Sequence, residues 1–216
     1  MNDILKHARN TALTLMGFAA AFTLLMSVVY TLTLAPIAES EAQARMQLFQ
    51  QIVPDSLFDN DLLHDTVTLP PDLLLGNTQP LIANIARLHG EASAVILEAT
   101  AHDGYAGDIK LLIAVKADGS LAGVRVLSHK ETPGLGDYID IAKDRWITLF
   151  DGLSLSQKPL GQWQVQKDGG DFDYRAGATI TPRAVIGAVG RALHYVQNHR
   201  QTLFAPVAAS EQEHTS

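Results

Sequence analysis

The stretch from Asp171 to Val189, DFDYRAGATITPRAVIGAV, sets a threonine hydroxyl just ahead of a predicted helix. Thr181-Pro182 reads as an N-cap followed by a proline at the first helical position, where its missing N–H is not needed. A phosphate joined to Thr179, two residues earlier, would sit near unpaired N–H groups and the positive end of that helix. Gly177 and Ala178 keep the approach sterically open. Such a threonine is more often a turn or capping residue, so the hydroxyl alone does not decide the chemistry.

Other candidate chemistry is weaker. PGLGDYI contains Gly134-x-Gly136, but Ile139 stands where a dinucleotide loop needs its third glycine, and no βαβ pattern surrounds it. A turn is the simpler reading of Pro133-Gly134, although a small-residue loop beside Glu131 and Thr132 also lets backbone approach a planar ligand. Asp168, Asp171 and Asp173 bunch in KDGGDFDYR without the spacing or the distant glutamate of a calcium loop, which makes a solvated loop the default. His194 and His199 lie five apart, off a common helix face, and no metal site is indicated. There is no Gly-x-Ser-x-Gly elbow, and Ser128-His129 has no evident third partner, so no catalytic group is assigned.

The elements that must position these residues are unevenly legible. Val95–Leu97 forms one predicted strand, Ile109, Leu111, Ile113 and Val115 alternate in a second, and Val124 and Val126 alternate after Asp118-Gly119. Asp-Gly between alternating runs is a hairpin signal, and an antiparallel sheet follows. Asp137 opens a predicted helix to about Phe150, with Tyr138, Ile141, Ala142, Trp146 and Leu149 near one face. Gln162 to Gln166 alternates as a further strand would. Val185, Ile186, Val189, Leu193 and Val196 give the last helix its apolar face to about His199. From Asp55 to Gly90 the periodicity is poor, and only weak structure is expected.

Between Asn10 and Ala38 the chain has no charged residue and is apolar on all sides. A helix rising about 1.5 Å per residue needs about 20 such residues to cross a hydrocarbon core about 30 Å thick. The rival reading, a cleaved signal peptide, usually has an apolar region of only about 7–15 residues. Lys6 and Arg9 precede the span, whereas Glu39 and Glu41 come before Arg45 on its far side, so positive-inside bias puts the amino terminus in the cytoplasm. The expected division is a cytoplasmic tail at 1–9, a transmembrane helix at 10–35, a connecting helix and irregular segment at 36–90, a folded domain at 91–200 and a flexible tail at 201–216. The fold class is α+β, with a central antiparallel sheet and flanking helices. Zero cysteines exclude disulfides and cysteine-ligated metal centres, and a net charge of −7 without a basic stripe argues against nucleic acid.

DYRAGATIT resembles the flavinylation motif Asp-x-x-Ser/Thr-Gly-Ala-Thr, whose final threonine carries FMN through a phosphoester. SHKETPGLGDYI resembles the companion motif of the same FMN-binding domain. The two motifs, in this order behind one amino-terminal span, are similar to the G subunit of the Rnf ion-translocating electron-transport complex, also called Rsx. The C subunit of the sodium-pumping NADH:quinone reductase is the nearest alternative. Ala176 departs from the general motif by standing at its Ser/Thr position.

The resemblance implies that Thr179 bears covalent FMN, with Asp173 as the acidic recognition residue and Gly177 and Ala178 completing the motif. It also implies that Glu131, Thr132 and Leu135 lie against the isoalloxazine ring. A flavin transferase using FAD would install the cofactor on the periplasmic side of the bacterial inner membrane. The chain would then carry electrons among the other integral and peripheral subunits of the complex, with no stand-alone catalytic activity. Alternatives are a membrane-anchored binding or scaffolding domain without covalent flavin, and a peripheral reductase serving a soluble acceptor.

Overall fold

The computed structural model describes residues 2–206, apart from the side chains of residues 2–5 and 38. The chain divides into two compact units at Arg45/Met46. Helix α1, Asn2–Gln50, is continuous across that division. It runs through both the residues expected to form the span at 10–35 and the start of the connecting helix, with Pro36 inside it. In the first unit Leu13, Leu15, Met16, Leu25, Val28 and Tyr30 are all exposed and together fall on every side of the helix. The helix is long and apolar enough to cross a membrane. Its threonines suit such a setting, since Thr14, Thr23 and Thr33 each donate to the carbonyl four residues earlier, at 2.8–2.9 Å. A hydroxyl satisfied within its own helix adds no unpaired polar group to a lipid face.

The second unit is built on five antiparallel strands: β1 Thr66–Leu69, β2 Leu81–Leu88, β3 Glu91–Gly104, β4 Gly107–Lys116 and β5 Leu121–Ser128. They lie in chain order, each paired with the next. Alternation decides which side chains face which way. Val95, Leu97, Ala99, Ile109, Leu111 and Ile113 enter one core, with helix α2, Ile180–Asn198, as its lid. Ala94, Ile96, Leu112 and Ala114 point to the opposite face, which Phe49, Ile52, Val53 and Leu62 cover. The central strands are thus buried on both sides.

Several expectations need correction. The sheet begins before residue 91, since β1 and β2 occupy part of the segment read as irregular. Their approach is fixed by hydrogen bonds that hydrophobic periodicity cannot reveal. Asn60 Nδ2 donates to Asp65 Oδ2 at 2.9 Å and to the Ile85 carbonyl at 3.0 Å, while its Oδ1 accepts from the Arg87 N–H at 2.8 Å. Buried Asn84 donates to the Leu62 carbonyl at 2.7 Å.

The single helix expected over 137–150 is instead two 3₁₀ turns, Asp137–Ile139 and Arg145–Phe150. Asp140 and Asp144 accept from the N–H groups of Ala142 and Trp146, at 2.9 and 2.8 Å, and these local bonds compete with a continuous helix. Residues 162–166 bury Trp163 and Val165 as their alternation suggests, but make only one isolated bridge, Val165 to Phe172, instead of a strand. At the carboxyl end, α3 spans Arg200–Leu203 and buries Leu203, so the tail expected from 201 does not start there; residues 207–216 lie outside the described residues. The apolar face foreseen for α2 is buried throughout.

Asn60→Ala removes three hydrogen bonds holding this entry segment and leaves the Ile85 and Arg87 backbone groups unpaired. It should destabilise the domain by about 1–3 kcal/mol, checked by urea denaturation of the detergent-solubilised protein against wild type.

Candidate functional site

The sheet and α2 bring three segments far apart in sequence around one cleft of about 120 Å³. The tip of the β3–β4 hairpin contributes Tyr105. The loop after β5 contributes Glu131, Thr132, Leu135 and Gly136, and the entry to α2 contributes Gly177, Ala178, Thr179, Ile180 and Thr181. Glu131, Thr132, Leu135, Gly177, Ala178 and Thr179, from two separate motifs, thus line one cleft. Asp173 is not among them: it is exposed outside the cleft, and its main-chain carbonyl accepts from the Trp146 indole at 2.8 Å.

Two tight turns form facing walls. In one, the Leu135 N–H reaches the Thr132 carbonyl at 3.1 Å across Pro133-Gly134. In the other, the Ala178 N–H reaches the Arg175 carbonyl at 3.1 Å, and Gly177 adopts φ +86°, a conformation that glycine takes without strain. Ala176 is the exposed residue at the second position of this turn and does not line the cleft, so its missing hydroxyl removes nothing from the cleft wall.

Arg175 anchors the turn to the domain. Its N–H donates to the Tyr138 hydroxyl at 3.3 Å, its guanidinium lies 4.7 Å from the Tyr138 ring centre, and it pairs with Asp144. Burial pushes the Tyr138 phenol above its ordinary pKa, which keeps the hydroxyl protonated.

Thr179 stands at the N-cap position of α2, with φ −78° and ψ −27°, and its side chain makes no capping hydrogen bond. The N-cap role expected of Thr181 is therefore misplaced by two residues. Thr181 is instead buried, and its hydroxyl donates to Glu131 Oε2 at 2.5 Å. Glu131 Oε1 accepts from the Ala106 N–H at 3.1 Å, and the Glu131 N–H donates to His129 Nδ1 at 3.1 Å.

Of the clustered aspartates, Asp168 accepts from Arg183 Nε at 2.6 Å and Asp171 pairs with Lys158. Arg183 holds the Asp168 carboxyl below its usual range. No cluster fit to hold a metal ion occurs among the described residues.

Sequence reasoning missed Tyr105, Ile180 and the inward role of Thr181. Tyr105 carried one signal, an aromatic placed between the glycines of a Gly-Tyr-Ala-Gly turn; at 66% exposed it is not there to fill a core.

Residues 104–194 match the family described as FMN-binding domain, which defines the class of protein that this fold and cleft belong to. Residues 1–52 match the RnfG N-terminal region. The chain is 48% identical over 202 residues to the G subunit of the ion-translocating oxidoreductase complex of Pseudomonas aeruginosa (strain UCBPP-PA14), covering 94% of each chain. It is 44% identical over 202 residues to the G subunit from Vibrio atlanticus (strain LGP32), covering 94% of this chain and 96% of that one. With the G subunit of Shewanella piezotolerans (strain WP3 / JCM 13877) it shares 43% over 194 residues, 90% of this chain and 92% of the relative. The chain belongs to the family of G subunits of the ion-translocating oxidoreductase complex. The amino-terminal match also separates it from the C subunit of the quinone reductase, the alternative left open by the motifs.

Gly136 has no room for a side chain: a Cβ there would lie 2.9 Å from Glu131 Oε2 and 3.0 Å from Thr181 Oγ1. Gly136→Ala should therefore displace the Glu131–Thr181 pair and cost about 1–3 kcal/mol, measured as a lower thermal midpoint, whereas Ala176→Ser should leave the midpoint unchanged.

Proposed function

We propose that this chain is the electron-carrying flavoprotein subunit of a membrane-bound ion-translocating oxidoreductase complex, with FMN joined to Thr179 by a phosphoester. The observation that carries this reading is the Thr179 hydroxyl, half-buried in the cleft at the start of α2 and unused as a cap. FMN, when bound, supplies the redox chemistry, and the protein supplies its binding and orientation.

The residues present fit such a group. No basic side chain lines the cleft. The charge of a phosphate on Thr179 would instead be met by the free amides that begin a helix and by its dipole, an effect of about 0.3–1 kcal/mol at an exposed site. Leu135, Ile180 and Tyr105 offer apolar surface to a planar ring, and Gly136 and Gly177 let it approach backbone. The cleft is smaller than the pockets of about 300–1,000 Å³ that enclose most of a drug-sized ligand. A tether at Thr179 keeps in place a cofactor that enclosure alone would hold weakly.

In the attachment reaction the Thr179 Oγ–phosphorus bond forms as the pyrophosphate P–O bond of FAD breaks. AMP leaves and the hydroxyl proton is released. A flavin transferase supplies the catalytic groups, since no described hydrogen bond joins the Thr179 hydroxyl to a base, and the exposed Asp173 carboxylate is available for that enzyme to recognise. Helix α1 anchors the chain in the inner membrane with the FMN-binding domain on the periplasmic side, in the orientation set by Lys6 and Arg9. There it exchanges electrons with other subunits of the complex.

Intact-mass measurement of protein co-produced with flavin transferase should show the mass of one FMN less water on wild type and on Thr179→Ser, and none on Thr179→Ala. An unmodified wild type, or a modified Thr179→Ala, would overturn the assignment. Asp173→Asn should lower the modified fraction without changing the thermal midpoint, since the bond at that residue is made by its main chain.

A further inference from the structure

We infer that Glu131 is a positioning residue: its buried carboxylate clamps the hairpin tip, the loop after β5 and the first turn of α2 into the one geometry that presents Thr179 in the cleft. Glu131 is 4% exposed, and one oxygen is assigned to each flanking segment. Oε1 takes the Ala106 N–H of the hairpin tip, and Oε2 takes the Thr181 hydroxyl, two residues beyond Thr179. Both donors are neutral. A carboxylate buried against neutral donors gains no ion-pair energy to offset its desolvation, so an apolar residue of similar size would be the cheaper filling. What the carboxylate provides is geometry, two acceptors at a fixed separation.

The surroundings are shaped to that separation. A Cβ on Gly104 would come within 3.0 Å of Oε1, and one on Gly136 within 2.9 Å of Oε2, so a glycine stands against each oxygen. On the remaining side, His129 Nδ1 accepts the Glu131 N–H at 3.1 Å and fixes the backbone from which the side chain projects. Without the clamp, nothing else among the described hydrogen bonds joins residues 105–107 to residues 179–183.

A clamp and a charge respond differently to glutamine. In Glu131→Gln the new amide oxygen can still accept from Ala106, and the new NH₂ can donate to a rotated Thr181 hydroxyl, so the variant keeps both links while losing the charge. Glu131→Ala removes both.

The test is amide hydrogen exchange on the full-length chain in detergent. Loss of about one net hydrogen bond at each arm corresponds to roughly tenfold. Exchange at the hydrogen-bonded amides of the two arms, Ala106 at the hairpin tip and Arg183 in the first turn of α2, should therefore rise about tenfold in Glu131→Ala and stay near wild type in Glu131→Gln, with β3 and β4 interior amides unchanged in both. Equal loosening in the two variants, or no change in Glu131→Ala, would overturn the inference. If Glu131→Ala does not fold, Thr181→Val removes one arm and Thr181→Ser restores it, with the same two readings. A second readout, the fraction modified by flavin transferase and FAD, rests on the Thr179 attachment reading. It should fall in Glu131→Ala and recover in Glu131→Gln. An unmodified wild type defeats the attachment reading, while the exchange data still decide the clamp.

Discussion

Burial of β3 and β4 on both faces is the constraint from which the rest of the FMN-binding domain follows. Side chains alternating along these strands face two different cores, and each core needs its own cover. Helix α2 covers one face. With 19 residues it is about 28 Å long, close to the length of the 10-residue strand β4 beneath it. The lid therefore spans the hairpin from end to end. One end of the helix falls beside the hairpin tip, where Thr181 and Ala106 share Glu131; the other falls beside the Asp118-Gly119 turn, where Leu193 and Val196 line a second hollow. The cleft is where a lid of this length ends.

The opposite face is covered by less regular means. Phe49, Ile52, Val53 and Leu62 supply the apolar cover, and Asn60 and Asn84 tie the segment to β2 through its main chain. Arg125 on β5 adds a further tie by donating to the Gln51 carbonyl at 2.8 Å. This division of labour separates stability from site geometry. The irregular cover can vary in detail without moving the hairpin tip, whereas α2 cannot shift along the sheet without moving Thr179.

The same physics decides what the sequence disclosed. β3, β4 and β5 were legible because two-sided burial and period-two alternation are local signals, and Asp118-Gly119 marks their turn. β2 was not: it lies in a stretch whose order depends on asparagine side chains reaching residues more than 20 positions away. Asp137, Asp140 and Asp144 lay at helix-like spacing, yet two of them use their carboxylates to begin new turns. At the site, Thr179, Gly177 and the ETPGLG loop were readable as motifs. Tyr105 and the Thr181–Glu131 bond were not, because they join segments that only the folded sheet brings together.

Thr179 also shows why the site runs against local preference. A threonine at an N-cap normally holds extended backbone angles and accepts from an N–H in the first turn, and losing that bond costs about 1 kcal/mol. Here the residue has helical angles and leaves its hydroxyl free. The helix start must then be secured by other contacts, and the structure contains them. Thr181 is fastened to Glu131 one residue into α2, Arg183 is held by Asp168 on the same turn, and Ala184, Val185 and Ile186 are fully buried directly behind. Burial of Val185 and Ile186, at about 1.5–3 kcal/mol each, outweighs a missing cap. An isolated helix with this amino-terminal sequence would gain by turning Thr179 inward as a cap. In the folded domain, the packing that follows it makes that gain unnecessary and leaves the hydroxyl facing the cleft.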